Sequence, residues 1–181
     1  MNHWKILKRA FFQKSPKPHF AINVQCSSEA EIMGEILIGE NTNVGKSRIV
    51  SEKGSVIAIG RNTNIRDHIL ISAGSYSHGK IKNIFIGNKV FISSNVEIYG
   101  PTLISDETFI GGRTMIINSD IGKGCLIEDN VLIKNIVVPS GMVIPSRSVI
   151  DSMEGLNEIL LNTNQGGFCQ IESQNINNGR I

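Results

Sequence analysis

The sequence has few aromatic residues, little net charge and no long apolar run. Aromatic residues make up 6% of the 181 residues, so a core has to be built mainly from branched aliphatic side chains. The formal net charge of +2 is too small to predict nucleic-acid binding by the chain as a whole. No apolar run approaches the ~20 residues that a membrane-spanning helix needs. One domain with a sizeable core fits this length.

Cysteine is also scarce, and its spacing excludes two classes of small protein. Cys26, Cys125 and Cys169 lie far apart and form no Cys-x-x-Cys or Cys–His pattern. Neither a zinc ribbon nor a disulfide framework is therefore predicted. A reducing compartment, the cytoplasm, is the expected location. The basic N-terminus is not followed by the apolar stretch of a secretory signal.

What the sequence does contain is an aliphatic residue at every sixth position. A compact side chain often follows four positions later, as Val90 follows Ile86 and Thr108 follows Ile104. This spacing fits neither an amphipathic helix nor simple strand alternation. The aliphatic positions are Ile38, Val44, Ile59, Ile65, Ile71, Ile86, Ile92, Ile98, Ile104, Ile110, Ile116, Ile121, Ile127, Ile133, Val138, Ile144 and Ile150.

A six-residue repeat predicts an all-β fold, the left-handed parallel β-helix. Each repeat forms one short strand and a tight corner, three repeats make one triangular coil, and coils stack at ~4.8 Å. We expect the coil over residues 25–150. A short C-terminal helix over 151–161, capped by Asp151 or Ser152, should follow, and the polar segment 162–181 reads as a flexible tail.

Two stretches inside the coil break the repeat, and a basic segment precedes it. The six-residue spacing is irregular in residues 45–58, and residues 73–83 are predicted to leave the coil as a loop. In the basic N-terminal extension, residues 1–24, a helical spacing joins Trp4, Leu7 and Phe11. Such a segment either contacts a membrane surface or an acidic partner, or packs its aromatic stripe on the coil, which we favour. Its basic residues are Lys5, Lys8, Arg9, Lys14 and Lys17.

Several segments carry a resemblance to a known family. They are IGRNTNIRD, FIGNKVFISSNVEIYGP, ISDETFIGGRTMIINSDIGKGCLIED and IVVPSGMVIPSRSVI. With them, residues 32–159 resemble the γ-class carbonic anhydrases. The nearest branch is the anhydrase-like N-terminal domain of the cyanobacterial carboxysome assembly protein. The resemblance implies a homotrimer, and in the family zinc is held between subunits by three histidines.

The positions that match those histidines are Ser72, Ser94 and Tyr99. A serine or tyrosine hydroxyl has a pKa of ~10 or higher and must be deprotonated before its oxygen binds zinc well, whereas neutral imidazole binds zinc directly. The resemblance therefore implies a protein without zinc or another cofactor, a non-catalytic trimer that binds partners. A carboxysome protein or a carbonic-anhydrase-related protein is the expected partner.

Two further residues are candidates for the boundary between subunits. Asp67 matches an acidic residue of the family. The resemblance implies that this acid pairs with an arginine at the subunit boundary. The arginine position itself is Val50 here, and Arg48, two positions earlier on the same strand face, is the candidate replacement.

Three alternatives stay open at this stage. The first is a hexapeptide-repeat acyltransferase that uses acetyl-coenzyme A, with His78 of SYSHGK as the general base. The second is a metal-free bicarbonate or CO₂ pocket lined by the three hydroxyls. The third is a displaced metal site built around His68 and His78.

Overall fold

The computed structural model of the protein describes residues 17–74 and 82–166, with side chains as far as residue 161. This part of the chain forms short strands that wind into a solenoid and end in one helix. In chain order the elements are β1 (His19–Phe20), β2 (Gln25–Cys26), β3 (Glu31–Met33), β4 (Ile36–Ile38), β5 (Asn43–Val44), β6 (Arg48–Ser51), β7 (Ile57–Ile59), β8 (Asn64–Ile65), β9 (Leu70–Ala73), β10 (Ile84–Ile86), β11 (Phe91–Ile92), β12 (Glu97–Tyr99), β13 (Thr102–Ile104), β14 (Phe109–Ile110), β15 (Met115–Ile117), β16 (Asp120–Ile121), β17 (Leu126–Ile127), β18 (Leu132–Lys134), β19 (Val137–Val138), β20 (Val143–Ile144), β21 (Val149–Ile150) and α1 (Met153–Gly166).

Every third strand pairs in parallel, so the strands form three sheets of seven strands each. Sheet A runs from β1 through β4 to β19, sheet B from β2 through β5 to β20, and sheet C from β3 through β6 to β21. One coil contributes one strand to each sheet, and the coils number seven. The parallel β-helix that the repeat predicts is confirmed.

The predicted aliphatic positions form the core. All of them are buried, with at most 4% of their surface exposed, because each lies on the inward side of a strand. Identical positions stack from coil to coil, as Ile71, Ile98 and Ile116 do in sheet C. Aromatic side chains stay outside: Phe85 is 45% exposed and Phe109 38%.

The corners explain why the repeat contains glycine and compact residues. A Cβ on Gly60 would lie 2.6 Å from the carbonyl of Gly87 in the next coil, so no larger residue fits there. The following N–H, that of Arg61, donates to Asn88 Oδ1 at 3.0 Å. The buried Thr63 donates from Oγ1 to the Gly87 carbonyl at 2.9 Å. Each corner thus hydrogen-bonds to the coil that follows it, which satisfies backbone groups outside the strands.

The same corner device recurs along the coil with different acceptors. Backbone N–H groups donate to a side chain of the following coil from Lys46 to Asp67 (2.8 Å), from Asn88 to Asp106 (2.6 Å), from Gly112 to Asp129 (2.7 Å) and from Lys123 to Ser140 (3.0 Å).

Two coils are longer than the others, at the places where the repeat is irregular. Ile49 pairs with Ile71, and Ile71 with Ile98, across longer stretches of chain than those that join the later coils. In the first of these coils, Ser51 turns inward and donates to the Ser55 carbonyl at 2.5 Å. The predicted loop lies between the end of β9 and the start of β10, and its residues 75–81 are outside the described residues.

The two ends of the coil differ from the predicted boundaries. The first strand, β1, already pairs with β4, before the predicted start at residue 25. At the other end α1 continues to Gly166, past the predicted residue 161. Ser152 caps this helix, because its Oγ accepts the Gly155 N–H at 3.2 Å. Most of the predicted N-terminal extension and of the tail lies outside the described residues.

No helix in the described part of the chain is long and apolar enough to cross a membrane.

Candidate functional site

Two of the three predicted site positions lie side by side on sheet C. Ser72 of β9 and Tyr99 of β12 are direct partners on neighbouring strands, which places their backbones ~4.8 Å apart. Because Ile71 and Ile98 point inward, their neighbours Ser72 and Tyr99 point outward and are partly exposed.

The third position, Ser94, lies around a corner from this pair. It belongs to the turn between β11 and β12, and its carbonyl accepts the Arg113 N–H of the next coil at 3.2 Å. Asn95 after it has φ +62°, the left-handed backbone that such a turn requires. Within one chain, Ser94 therefore does not share a face with Ser72 and Tyr99.

Tyr99 is engaged by a carboxylate that sequence reasoning missed. Its Oη donates to Glu97 Oε2 at 2.7 Å. Glu97 lies two residues earlier on the same outward face of β12, a spacing that brings side chains together on a strand. That spacing was readable in the sequence and could have identified the pair.

A second carboxylate, Glu52, lies near Ser72 and was also missed. A Cβ added to Gly74 would lie 3.8 Å from Ser72 Oγ and 3.6 Å from Glu52 Oε1, so these two oxygens flank Gly74. Glu52 comes directly after β6, inside the irregular stretch 45–58, where the repeat does not indicate which residues face each other.

The donor atoms on this face do not fit a zinc site. Zinc prefers imidazole nitrogen and thiolate sulfur, with carboxylates in a supporting role. Here the matching positions supply three hydroxyls, and one of them donates its proton to Glu97. Among the residues the structure describes, no group of three or more His, Cys, Asp or Glu side chains is placed to hold a metal ion.

The two boundary candidates have separate partners within the chain. Asp67 Oδ1 accepts the Lys46 N–H at 2.8 Å, so this carboxylate holds a corner. Arg48 Nε lies 3.6 Å from Glu31 Oε2, and both side chains are exposed. In the described part of the chain no ion pair joins Asp67 to Arg48.

The charges around Asp67 form a small exposed cluster. Lys46 Nζ lies 2.5 Å from Glu29 Oε2. The hydrogen bond to Glu29 is the main reason why the pKa of Lys46 is raised, and the Asp67 carboxylate adds to the effect. His68 is exposed, with φ +58°, and its N–H donates to the Lys46 carbonyl at 2.6 Å. His78, the other histidine of the predicted displaced site and the predicted base, lies outside the described residues.

Comparison with known proteins finds relatives but no family model that matches. A carbonic anhydrase of Methanosarcina thermophila is 28% identical over 115 residues, 55% of this chain and 47% of the relative. The carboxysome assembly protein CcmM of a Nostoc species is 29% identical over 104 residues, 54% of this chain and 19% of the relative. The chain is a γ-carbonic-anhydrase-like hexapeptide-repeat protein.

A further relative, with lower identity, is an acyltransferase by name. An acyl-[acyl-carrier-protein]–UDP-N-acetylglucosamine O-acyltransferase of Sinorhizobium fredii is 25% identical over 118 residues, 51% of this chain and 44% of the relative. The γ-carbonic-anhydrase-like chain thus spans less than half the length of each of these three relatives.

This γ-carbonic-anhydrase-like coil also has a groove away from sheet C. The groove has a volume of about 520 Å³ and follows the outer side of sheet A. Phe85 and Leu103 form its apolar floor, whereas Asp106 and Lys123 supply charge at one edge. The groove is open, and its lining residues come from successive strands of sheet A.

Proposed function

We propose that this protein is a non-catalytic relative of the γ-class carbonic anhydrases, which forms a homotrimer and binds partner proteins. The observation that carries the proposal is the Ser72–Tyr99 pair on sheet C. The family resemblance is the reason to expect zinc ligands at these positions; the two residues carry hydroxyls instead, and Tyr99 Oη donates to Glu97 at 2.7 Å.

The chemistry of these groups favours loss of the reaction. Hydration of CO₂ in the family needs a bound water whose pKa falls to ~7, and zinc with an open coordination position supplies that effect. A tyrosine hydroxyl loses its proton only near pH ~10, and a serine hydroxyl higher still. Without the metal, none of the described groups on this face would generate hydroxide at neutral pH.

The position of Ser94 supports assembly into a trimer. It lies around a corner from Ser72 and Tyr99, so in the family arrangement the three positions meet only when two chains pack side by side. Because one of the relatives is a carboxysome assembly protein, a carboxysome component or a catalytically active anhydrase subunit is the partner we favour.

The experiment measures CO₂ hydration and zinc content on the purified full chain. We expect hydration at the uncatalysed rate and no stoichiometric zinc, with an active γ-class carbonic anhydrase as the positive control. Hydration above the uncatalysed rate together with about one zinc per chain would contradict the proposal. Light scattering after gel filtration tests the trimer, and a monomer at micromolar concentration would overturn that part.

A second candidate function is acyl transfer from acetyl-coenzyme A. Two observations favour it: the O-acyltransferase relative and the open groove on sheet A. His78 would act as the general base. Millimolar coenzyme A should then raise the melting temperature, and a substitution on the groove floor, Phe85→Ala, should remove the increase. An unchanged melting temperature of the wild-type chain argues against this function.

A further inference from the structure

Two charged side chains on the strands of sheet C have no ion-pair partner among the residues the structure describes. They are Glu97 on β12 and Lys134 on β18, whereas Glu31 and Arg48 on the same sheet pair with each other. Glu97 is partly buried and accepts the hydrogen bond from Tyr99 Oη, which brings no positive charge. A carboxylate partly withdrawn from water is stabilised by a nearby cation, so a cation from outside the chain would fit beside Glu97.

The corner beside this face carries charges in the opposite order. We call it the B–C corner: the turns that join each strand of sheet B to the next strand of sheet C. In the fifth coil it carries Arg113, and in the sixth coil it carries Glu128 and Asp129. The face of sheet C carries the acid Glu97 in the fourth coil and the cation Lys134 in the sixth.

Arg113 keeps donors available for a partner. It is exposed, and its Nε donates to Asn130 Oδ1 at 2.7 Å. In the described part of the chain no acid lies within ion-pair distance of its guanidinium. A guanidinium has five N–H donors in a planar fork that matches a carboxylate, so the groups beyond Nε remain for one.

We propose that Arg113 of one copy of the chain pairs with Glu97 of a second copy, at the boundary where the resemblance expects zinc. The inference rests on the proposed function, in which the Ser94 corner of one copy packs against the Ser72–Tyr99 face of the next. Subunits of a closed ring are related by rotation alone, so coils parallel to the rotation axis meet level with one another. Arg113 lies one coil beyond Ser94, a rise of ~4.8 Å that an arginine side chain spans.

The second charge on the face fits the same alignment. Lys134 belongs to the same coil as Glu128 and Asp129, so in a level ring it faces these acids of the neighbouring copy. A shift of one coil in either direction would instead set Lys134 level with an arginine, Arg147 or Arg113, at a cost in repulsion. The two surfaces therefore complement each other in one register, which favours a second copy of this chain as the partner.

Apolar side chains on both sides of the corner supply area to bury. On the outer side of sheet B, Phe109, Leu126 and Val143 are between 38% and 42% exposed, and on sheet C Val149 is 62% exposed. In a three-membered ring both sides of an inward corner face a neighbour. Burial of these side chains contributes to association, and the ion pair determines which surfaces meet.

The test measures the oligomeric state of the full chain by light scattering after gel filtration, over a range of concentrations. Arg113→Glu and Glu97→Arg each place like charges at every boundary, and each should raise the dissociation constant of the trimer about tenfold or more. The double variant Arg113→Glu, Glu97→Arg should recover most of the loss. The fold should survive, because such a corner tolerates glutamate: Glu107 has φ +60°, close to the +55° of Arg113. Circular dichroism checks this.

Mixing the two single variants tests whether the pair joins two chains. At a boundary between unlike variants opposite charges meet, whichever chain supplies the corner. We therefore expect mixed oligomers from two preparations that each dissociate alone. An ion pair inside one chain would not respond to mixing, so an unchanged mixture would overturn the proposal.

The matched control is Arg61→Glu, at a corner between sheets A and B. Arg61 is also an exposed corner arginine, but it lies away from the proposed boundary, so its substitution should leave the trimer intact. A trimeric wild-type protein whose assembly ignores both single variants, or is not recovered in the double variant, would overturn the ion pair and leave the proposed trimer standing. A monomeric wild-type protein would overturn the proposed trimer, and the ion pair with it.

Discussion

Adjacent residues of β12 show how differently the two sides of the coil are constrained. Ile98 is fully buried and stacks on Ile71 and Ile116, which are identical to it. Tyr99, the next residue, faces outward and stacks on Ser72 and Ile117, which differ from it and from each other. The inward side is determined by packing inside a closed prism, and the outward side is not. A coil of this kind can therefore keep its fold while the residues on its outer face change.

The largest loss of stability is expected for a substitution on the inward side of the coil. Ile98→Ala should lower the free energy of unfolding by about 2–5 kcal/mol, since the buried site cannot collapse around the cavity. Ile117→Ala, on the outward side of the next strand of the same sheet, is the matched control and should cost under about 1 kcal/mol. Urea unfolding of both variants measures the difference. Equal losses would contradict the contrast between the two sides.

The next effect concerns the corners, where the two sides meet. Gly60→Ala should cost about 3 kcal/mol, at the upper end for overpacking, because its Cβ would lie 2.6 Å from backbone atoms of Gly87. Gly124, at a corner with φ +66°, has no atom within 4 Å of an added Cβ. Gly124→Ala should therefore cost only the ~1 kcal/mol of a left-handed backbone. Thermal unfolding compares them, and a larger loss at Gly124 would argue against close corner stacking.

A smaller effect is expected on the pH dependence of the melting temperature, which should differ between a carboxylate that accepts hydrogen bonds at a corner and an exposed one that does not. The Asn88 backbone N–H and side chain donate to Asp106, and these hydrogen bonds lower its pKa. A lowered folded-state pKa means that the carboxylate stabilises the fold above about pH 4, the unfolded value, and that this contribution is lost as the pH falls further. Asp106→Asn should therefore reduce the melting temperature at pH 7 but not at the acid end.

The control for Asp106 is Asp120→Asn, on the outer side of sheet A. Asp120 is exposed and accepts no side-chain hydrogen bond from the described residues. We expect its substitution to change the melting temperature little from pH 7 to pH 2. If both variants follow the same pH curve, the corner hydrogen bond has no special role.

The smallest effect is expected at the candidate site itself. Tyr99→Phe removes the hydrogen bond to Glu97 from a partly exposed surface, so it should cost less than about 1 kcal/mol in chemical unfolding. A larger loss, of the size seen at Ile98, would mean that the outer face helps to determine the fold.

Most of the core could be predicted from sequence because one physical rule acts on every coil. Each aliphatic position at spacing six turned out to be buried, and the departures at residues 45–58 coincide with a longer coil. The corner contacts were not predictable in the same way. Whether Asp67, Asn88 or Ser140 receives a corner N–H depends on the register between coils, which the linear repeat does not state.

The candidate site was predicted only in part, for a related reason. The structure pairs Ser72 with Tyr99 on neighbouring strands, a register that the linear repeat does not state. Glu97 was missed although it lies two residues before Tyr99 in a segment that carries the family resemblance, and Glu52 was missed because it lies in the irregular stretch 45–58. The ligand roles of Ser72, Ser94 and Tyr99 stay predictions.

The most direct test of the account restores the missing ligands. Zinc per chain is measured after dialysis for the wild-type protein and for the triple variant Ser72→His, Ser94→His, Tyr99→His. We predict no bound zinc in the wild-type protein and about one zinc per chain in the triple variant, with an unchanged coil. Stoichiometric zinc in the wild-type protein, or none in a correctly folded triple variant, would contradict the claim that this chain keeps the fold and lacks only the ligands.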